Sequence, residues 1–422
     1  MASKDSGEAL APTLIATLHP EAEDRLHRYL EGVWALLGDR RRRQGFASYA
    51  CGLFGDGERK SVEPMAARSC GDPKKAEAAH RKLLRVVGES CWEDRPVREY
   101  ATRYALEQMQ VHGEVQHWIV DDTGFLKQGK HSPGVQRQYT GSAGKTTNCQ
   151  IAVSLTLATE HAHLPVDMEL YLPESWANDR KRCSAAKIPD DVVYRPKWRI
   201  ALDMIEASLT AEMPRGTVLA DADYGNKSAF RDRLDELGLQ YAVAIQKTTR
   251  VQRVEGRSKA RKLGERMSVE ELAFELDPSE LRRVTWREGT KETMSASFAV
   301  IRVEPIPSDN QARREQWLII EWPADRHMPA KYNLATLPRT MSRKRIIRTL
   351  KERWRTERAY QDLKGELGLD HFEGRSYRGW NHHVSLALFC FAFLAAEQAR
   401  AFPPSETRGR ESDANDPLHR AA

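Results

Sequence analysis

Three carboxylates stand out by their surroundings. Asp122 follows the short apolar run His117-Trp-Ile-Val120, and Asp221 follows Thr217-Val-Leu-Ala220. Each run reads as a buried strand stopped by a turn, so each acid sits where a strand ends. Reactive groups in α/β sheets gather at the carboxyl ends of strands, and two such acids on neighbouring strands can share a cation. The third acid is Glu357, set among arginines. Leu350, Arg353, Trp354, Glu357, Gln361 and Lys364 recur at three- and four-residue steps and form one helical stripe. A carboxylate between Arg353 and Lys364 suits a site that holds a hard divalent cation and clamps phosphate oxygens. The same spacing also allows an ordinary ion pair between Arg353 and Glu357, worth about 0.3–0.5 kcal/mol.

These residues need a scaffold, and the chain supplies one. It has 422 residues, 40% hydrophobic and 30% charged, enough to bury a core and to exclude a wholly disordered protein. Residues 20–109 read as a helical domain: Leu26, Tyr29, Leu30, Val33, Leu36 and Leu37 keep helical spacing, Asp72-Pro73 opens a further helix, and Arg40–Arg43 form a basic turn. Residues 110–246 alternate short strands with helices at Trp198–Leu209 and Lys227–Gly238, which predicts a mixed α/β sheet. Residues 247–330 carry strand-like runs (Arg282–Trp286, Ser295–Val303, Gln316–Glu321) and read as a β-rich insertion. Residues 331–400 complete the α/β core with a basic helix, Ser342–Gly365, and an apolar one, Val384–Ala399. The flanks, 1–19 and 401–422, have disordered composition.

Composition bounds the compartment and the partner. The longest charge-free apolar run, Val384–Ala396, is too short to cross a bilayer of about 30 Å. The N-terminus lacks an export signal, and the six cysteines form no C-x-x-C pair. A reduced cytoplasmic protein without a membrane partner is expected. Net charge is only +6, yet Lys331 to Lys364 holds eleven Lys or Arg against three acids. Such a patch suits a polyanion, because each phosphate contact releases condensed counterions. Lys127, Lys130, Arg137 and Lys145 are further candidates for touching DNA. His382-His383 lacks a third spaced ligand and reads as structural. Gly141-Ser-Ala-Gly-Lys-Thr146 does not have phosphate-loop spacing.

The stretch Arg353-Trp-Arg-Thr-Glu357-Arg-Ala-Tyr360-Gln-Asp-Leu-Lys364 resembles the third motif of DDE transposases of bacterial insertion sequences. Asp121-Asp122-Thr123-Gly124, with Gly129 to Tyr139 behind it, resembles the first motif. Val218-Leu-Ala-Asp221-Ala-Asp-Tyr-Gly225 resembles the second. The resemblance implies a ribonuclease-H-like mixed sheet flanked by helices, with a β-rich insertion between Asp221 and Glu357 and an all-α N-terminal domain. Asp122, Asp221 and Glu357 would then hold two Mg²⁺ ions (or Mn²⁺), and Arg353 and Lys364 would bind phosphates. The aspartate directly before the threonine matches the family pattern, which selects Asp122 over Asp121. Leu350 and Asp223 depart from it: a tyrosine is frequent at the first position and a small residue usual at the second.

The implied activity is transposition. The 20–109 domain would bind terminal inverted repeats, and the acids would cut double-stranded DNA and join it to a target by two-metal phosphoryl transfer. A homodimer on paired ends in a bacterial cytoplasm, nucleoid-associated, is the implied setting. A ribonuclease-H-like nuclease without strand transfer, or a DNA-binding protein that has lost catalysis, would carry the same motifs.

Overall fold

The computed structural model describes residues 21–402, apart from 71, 257–261, 289–292, 307–313 and 324–325. The two flanks expected to be disordered lie, but for residues 401–402, outside the described residues. The first part is helical: α1 (Ala22–Gly32), α2 (Arg40–Phe54), α3 (Val62–Ser69), α4 (Pro73–Leu84) and α5 (Asp94–Met109). The four arginines at 40–43 are not a turn. They form the first turn of α2, where Asp39 caps the helix by accepting hydrogen bonds from the Arg41 and Arg42 amides. An anionic cap offsets the penalty of cations at a positive helix end.

Six strands make the core sheet: β1 (His117–Leu126), β2 (Gln136–Thr140), β3 (Lys145–Ala158), β4 (His163–Tyr171), β5 (Thr217–Ala220) and β6 (Tyr241–Ile245). β3 pairs antiparallel with β1, β2 and β4, while β5 and β6 join β1 in parallel. Parallel neighbours need crossovers. These are α6 (Lys197–Thr210) before β5, then α7 (Ala222–Gly225) and α8 (Ser228–Glu236) before β6. The arrangement is ribonuclease-H-like, as expected.

The β-rich insertion contributes β7 (Arg250–Glu255), β8 (Lys262–Ser268), β9 (Arg282–Glu288), β10 (Thr293–Pro305) and β11 (Gln316–Trp322), followed by β12 (Lys331–Ala335). It does not stand apart from the core. β12 pairs antiparallel with β6, with Tyr332 opposite Ile245 and Ala335 opposite Ala242, so one 12-stranded sheet runs through both.

Three helices close the chain: α9 (Arg343–Lys351), α10 (Trp354–Gly365) and α11 (Tyr377–Ala401). The single basic helix expected over 342–365 is therefore two. Around Glu352 and Arg353 the bonds tighten to Arg355 N–Glu352 O (3.1 Å) and Thr356 N–Arg353 O (3.2 Å), a turn of 3₁₀ type. The break lets α9 lie on β9 and β6 while α10 packs on β4 and β1.

By length and composition α11 could span a membrane, but most of it is buried inside the protein. Its cover is the N-terminal helices. Tyr29 of α1 stacks on Phe389 at 4.1 Å and donates to its carbonyl at 2.9 Å. Arg25 pairs with the buried Glu397 at 2.6 Å. His382 stacks on Trp92 and hydrogen-bonds the Val87 and Trp92 carbonyls, and His383 meets the Tyr49 hydroxyl at 2.9 Å. Both histidines are structural. Residues of α1, α2 and α5 thus share one hydrophobic core with the α/β sheet, and no break in packing marks residue 109.

Candidate active site

β1 does not stop at its aspartates. Asp121 and Asp122 remain paired with Ser154 and Val153 of β3, and the strand continues to Leu126. The other side of β1 differs. β5 pairs with it only from His117–Thr217 to Ile119–Leu219 and ends at Ala220. Asp121 and Asp122 therefore project past the end of a shorter parallel neighbour, whose next residue is Asp221. Apolar pattern alone missed this, because the strand's polar stretch is paired on one edge and open on the other.

Successive strand residues face opposite sides. Asp121 points toward α10: its Oδ2 takes Arg353 Nη2 at 3.1 Å, and the hydroxyl of Ser154, opposite it, lies 2.5 Å from that of Tyr360. Asp122 points toward α6. Its Oδ2 accepts from Lys197 Nζ at 2.8 Å and from the Tyr224 hydroxyl at 3.4 Å. Asp221 caps α7, accepting from the Asp223 amide at 2.9 Å. Asp223 lies 3.9 Å from Lys197.

Electrostatics tie these acids together. Burial raises the Asp121 carboxyl to about 6, with Arg353 opposing and Asp221 and Asp122 adding to the rise. Burial likewise raises Asp221, against Arg353 and with help from Asp223 and Asp122. Burial works against the Lys197 ammonium, but Asp122, Asp223 and Asp221 outweigh it and hold its pKa above the usual lysine value. Lys197 was not among the residues the sequence pointed to. It stands one position before the amphipathic stretch that marked α6, directly after Pro196, and no spacing links it to Asp122.

Two motif glycines explain themselves sterically. A Cβ at Gly124 would collide with the Thr140 side chain of β2, and one at Gly225 with the Ala244 carbonyl of β6. Each holds an aspartate-bearing segment tightly against its neighbour.

The remaining candidates lie around this cluster. Lys364 donates to Thr123 Oγ1 and the Gly124 carbonyl, each at 2.8 Å, and lies 3.3 Å from Ser142 Oγ, so it rivets α10 to β1 and to the β2–β3 turn. Burial lowers its pKa. Arg353 pairs with Asp121 rather than with Glu357. Glu357 is exposed, on the helix between these two anchors. Among the described residues, no group of three or more His, Cys, Asp or Glu converges as a metal cage, so Glu357 is not gathered with the aspartates. Lys130 and Arg137 are exposed, and Lys130 lines a notch with His131, Arg182 and Arg375. Lys127 instead donates to the Phe372 carbonyl at 2.6 Å.

A divalent cation fits what is assembled. The donors are carboxylate oxygens, the ligands hard cations prefer. Burial, with Asp223 and Asp122 adding to it, raises Asp221, a cost that a cation beside it would relieve, and Asp122 already engages an ammonium.

A family model described as a DDE superfamily endonuclease matches residues 33–293, which include both aspartate-bearing strands and end before α10. The chain is also similar to the probable transposase for insertion sequence element IS701 of Microchaete diplosiphon. Identity is 29% over 218 residues, covering 51% of this chain and 52% of that protein. The chain thus matches that relative over about half of its length.

Proposed function

The chain belongs to the DDE superfamily of endonucleases, and from that premise we propose that it is an insertion-sequence transposase that cuts transposon ends and joins them to target DNA. The observation that carries this reading is that Asp122 of β1 and Asp221, next after β5, both lie past the last β1–β5 pair and within each other's field. The similarity to a probable transposase supports the substrate class.

In this reading Asp122 and Asp221 hold the divalent ions and Glu357 supplies the third carboxylate. Support for Glu357 is the motif spacing that sets it between Arg353 and Lys364 on α10; that helix lies on the Asp121 face of β1, so Glu357 must swing past Asp121 to join Asp122. Bound ions would supply an activated oxygen nucleophile and charge neutralisation at the leaving oxygen. The protein's own part is orientation. Asp121 is already engaged by Arg353 and anchors α10, whereas Asp122 has its Oδ1 without a donor among the described hydrogen bonds. An ammonium has three donors. The three partners of Lys364 occupy them, so its contact to a phosphate comes by exchanging one of these.

DNA contacts extend beyond the acids. Between α2 and α4 lies a groove lined by Arg41, Arg42, Arg81, Lys82 and Arg85 with one acid, Asp39. Five cations along one groove suit the backbone of a duplex end. Lys130 and Arg137 extend the basic surface on the β-sheet side. A pair of ends calls for two copies of the chain.

The test is a Mg²⁺-dependent reaction of the full chain with an end-bearing duplex and a supercoiled target. Cleaved ends and joined product are expected. Cleavage without joined product would favour a nuclease, and neither product would favour a DNA-binding protein that has lost catalysis.

A further inference from the structure

The residue that the motifs do not account for is Lys197. It is the first residue of α6, a 14-residue helix fixed to the sheet by buried Ile200, Ala201, Leu202, Met204 and Ile205. Its ammonium is thereby delivered to one place: 2.8 Å from Asp122 Oδ2 and 3.9 Å from Asp223 Oδ2, within the field of Asp221. Its side chain is only 25% exposed. That is the position of a cation shared by a carboxylate within β1 and one in the turn of helix that follows β5.

We propose that Lys197 is a built-in counter-cation of the aspartate cluster, which keeps Asp122 beside Asp221 and Asp223 and competes with a divalent ion for Asp122. The proposal rests on the reading of Asp122 as a metal ligand. Without an ion, the ammonium offsets the repulsion that would otherwise push the acids apart or protonate them. An ion binding Asp122 either takes the open Oδ1 beside the ammonium or displaces Lys197 from Oδ2, and in both cases the charge stays nearby on a flexible stem. Either course weakens the hold on metal. The site is assembled in advance at the expense of affinity, and Lys197 acts as a positioning residue, since it touches the acids rather than the reacting atoms.

The test is Mn²⁺ binding to the full chain without DNA, followed by calorimetry and by the electron spin resonance of free Mn²⁺. Like charges a few ångströms apart repel even in water, and the ion carries two, so removing the ammonium should tighten binding about tenfold or more. Lys197→Met and Lys197→Gln should therefore both bind Mn²⁺ more tightly, so failure of one variant to fold leaves the other to decide. Lys197→Arg, which keeps the charge, should stay near the parent. In chelator, Lys197→Met and Lys197→Gln should melt below the parent, and saturating Mn²⁺ should raise their melting temperature by more than it raises the parent's. Unchanged or weaker Mn²⁺ binding in Lys197→Met and Lys197→Gln overturns the proposal. So does equal tightening by Lys197→Arg, and so does a loss of DNA affinity with metal affinity unmoved, which would make Lys197 a phosphate contact instead. Asp122→Asn separates the proposal from the reading beneath it: if it leaves Mn²⁺ binding intact, the ligand reading itself fails.

Discussion

Asp121 offers a test of the site's electrostatics that needs neither metal nor DNA. Its carboxyl is buried, faces Arg353 and stands beside Asp221 and Asp122; burial, helped by these two acids and opposed by Arg353, raises it from 3.8 to about 6. An acid with a raised folded-state pKa keeps its proton where the unfolded chain has released it. Stability from this group is therefore full below about pH 4, falls as pH rises through about 6, and is constant above that. At about 1.4 kcal/mol per pH unit, the fall amounts to about 3 kcal/mol. Asp121→Asn removes the titration while keeping the side chain's shape. The amide also changes the hydrogen bonding to Arg353, so the informative quantity is the slope rather than the level. Urea unfolding in chelator, followed by tryptophan fluorescence from pH 4 to 7.5, gives it. Between pH 4 and 6.5 the parent should lose about 2 kcal/mol more than the variant. Parallel curves, within about 0.5 kcal/mol, would refute the inference that these acids are buried and crowd one another.

Other consequences follow from packing and charge. Gly225→Ala drives a Cβ into the Ala244 carbonyl and should cost about 3 kcal/mol or more in denaturant unfolding. Gly365→Ala, at a helical position with nothing within 4 Å, should stabilise by about 0.5–1 kcal/mol. If both changes have the same effect, the steric account of the Tyr-Gly motif fails. Replacing Arg81 and Arg85 together by alanine should lower the salt dependence of DNA binding by about one to two in log–log slope. An unchanged slope would remove the groove between α2 and α4 from the DNA interface.

The two acidic positions were legible because a short apolar run broken by Asp marks a buried strand whose side chains turn polar there, although only Asp221 follows the end of its strand. The mixed α/β sheet followed from strands alternating with helices, and its ribonuclease-H-like order from the resemblance of the three motifs. What escaped has a common cause: it depends on partners distant in sequence. β1 runs on past Val120 because β3 pairs with it there, and the insertion joins the main sheet only through β12 against β6. The break at Glu352–Arg353 leaves the three- and four-residue spacing intact, so periodicity passes over it. Lys197 carries no local pattern at all. The apolar run in α11 is covered by the helices of residues 22–109, so these belong to the core of the fold.

The central claim is that Asp122, Asp221 and Glu357 gather around divalent ions when DNA is bound. Anomalous scattering from Mn²⁺ in crystals of the full chain with an end duplex tests it directly. The account predicts Mn²⁺ peaks in contact with Asp122 and Asp221, one of them also with Glu357, while Asp121 stays paired with Arg353. Peaks coordinated by Asp121 in place of Asp122, or Glu357 still facing solvent beside occupied metal sites, would contradict it.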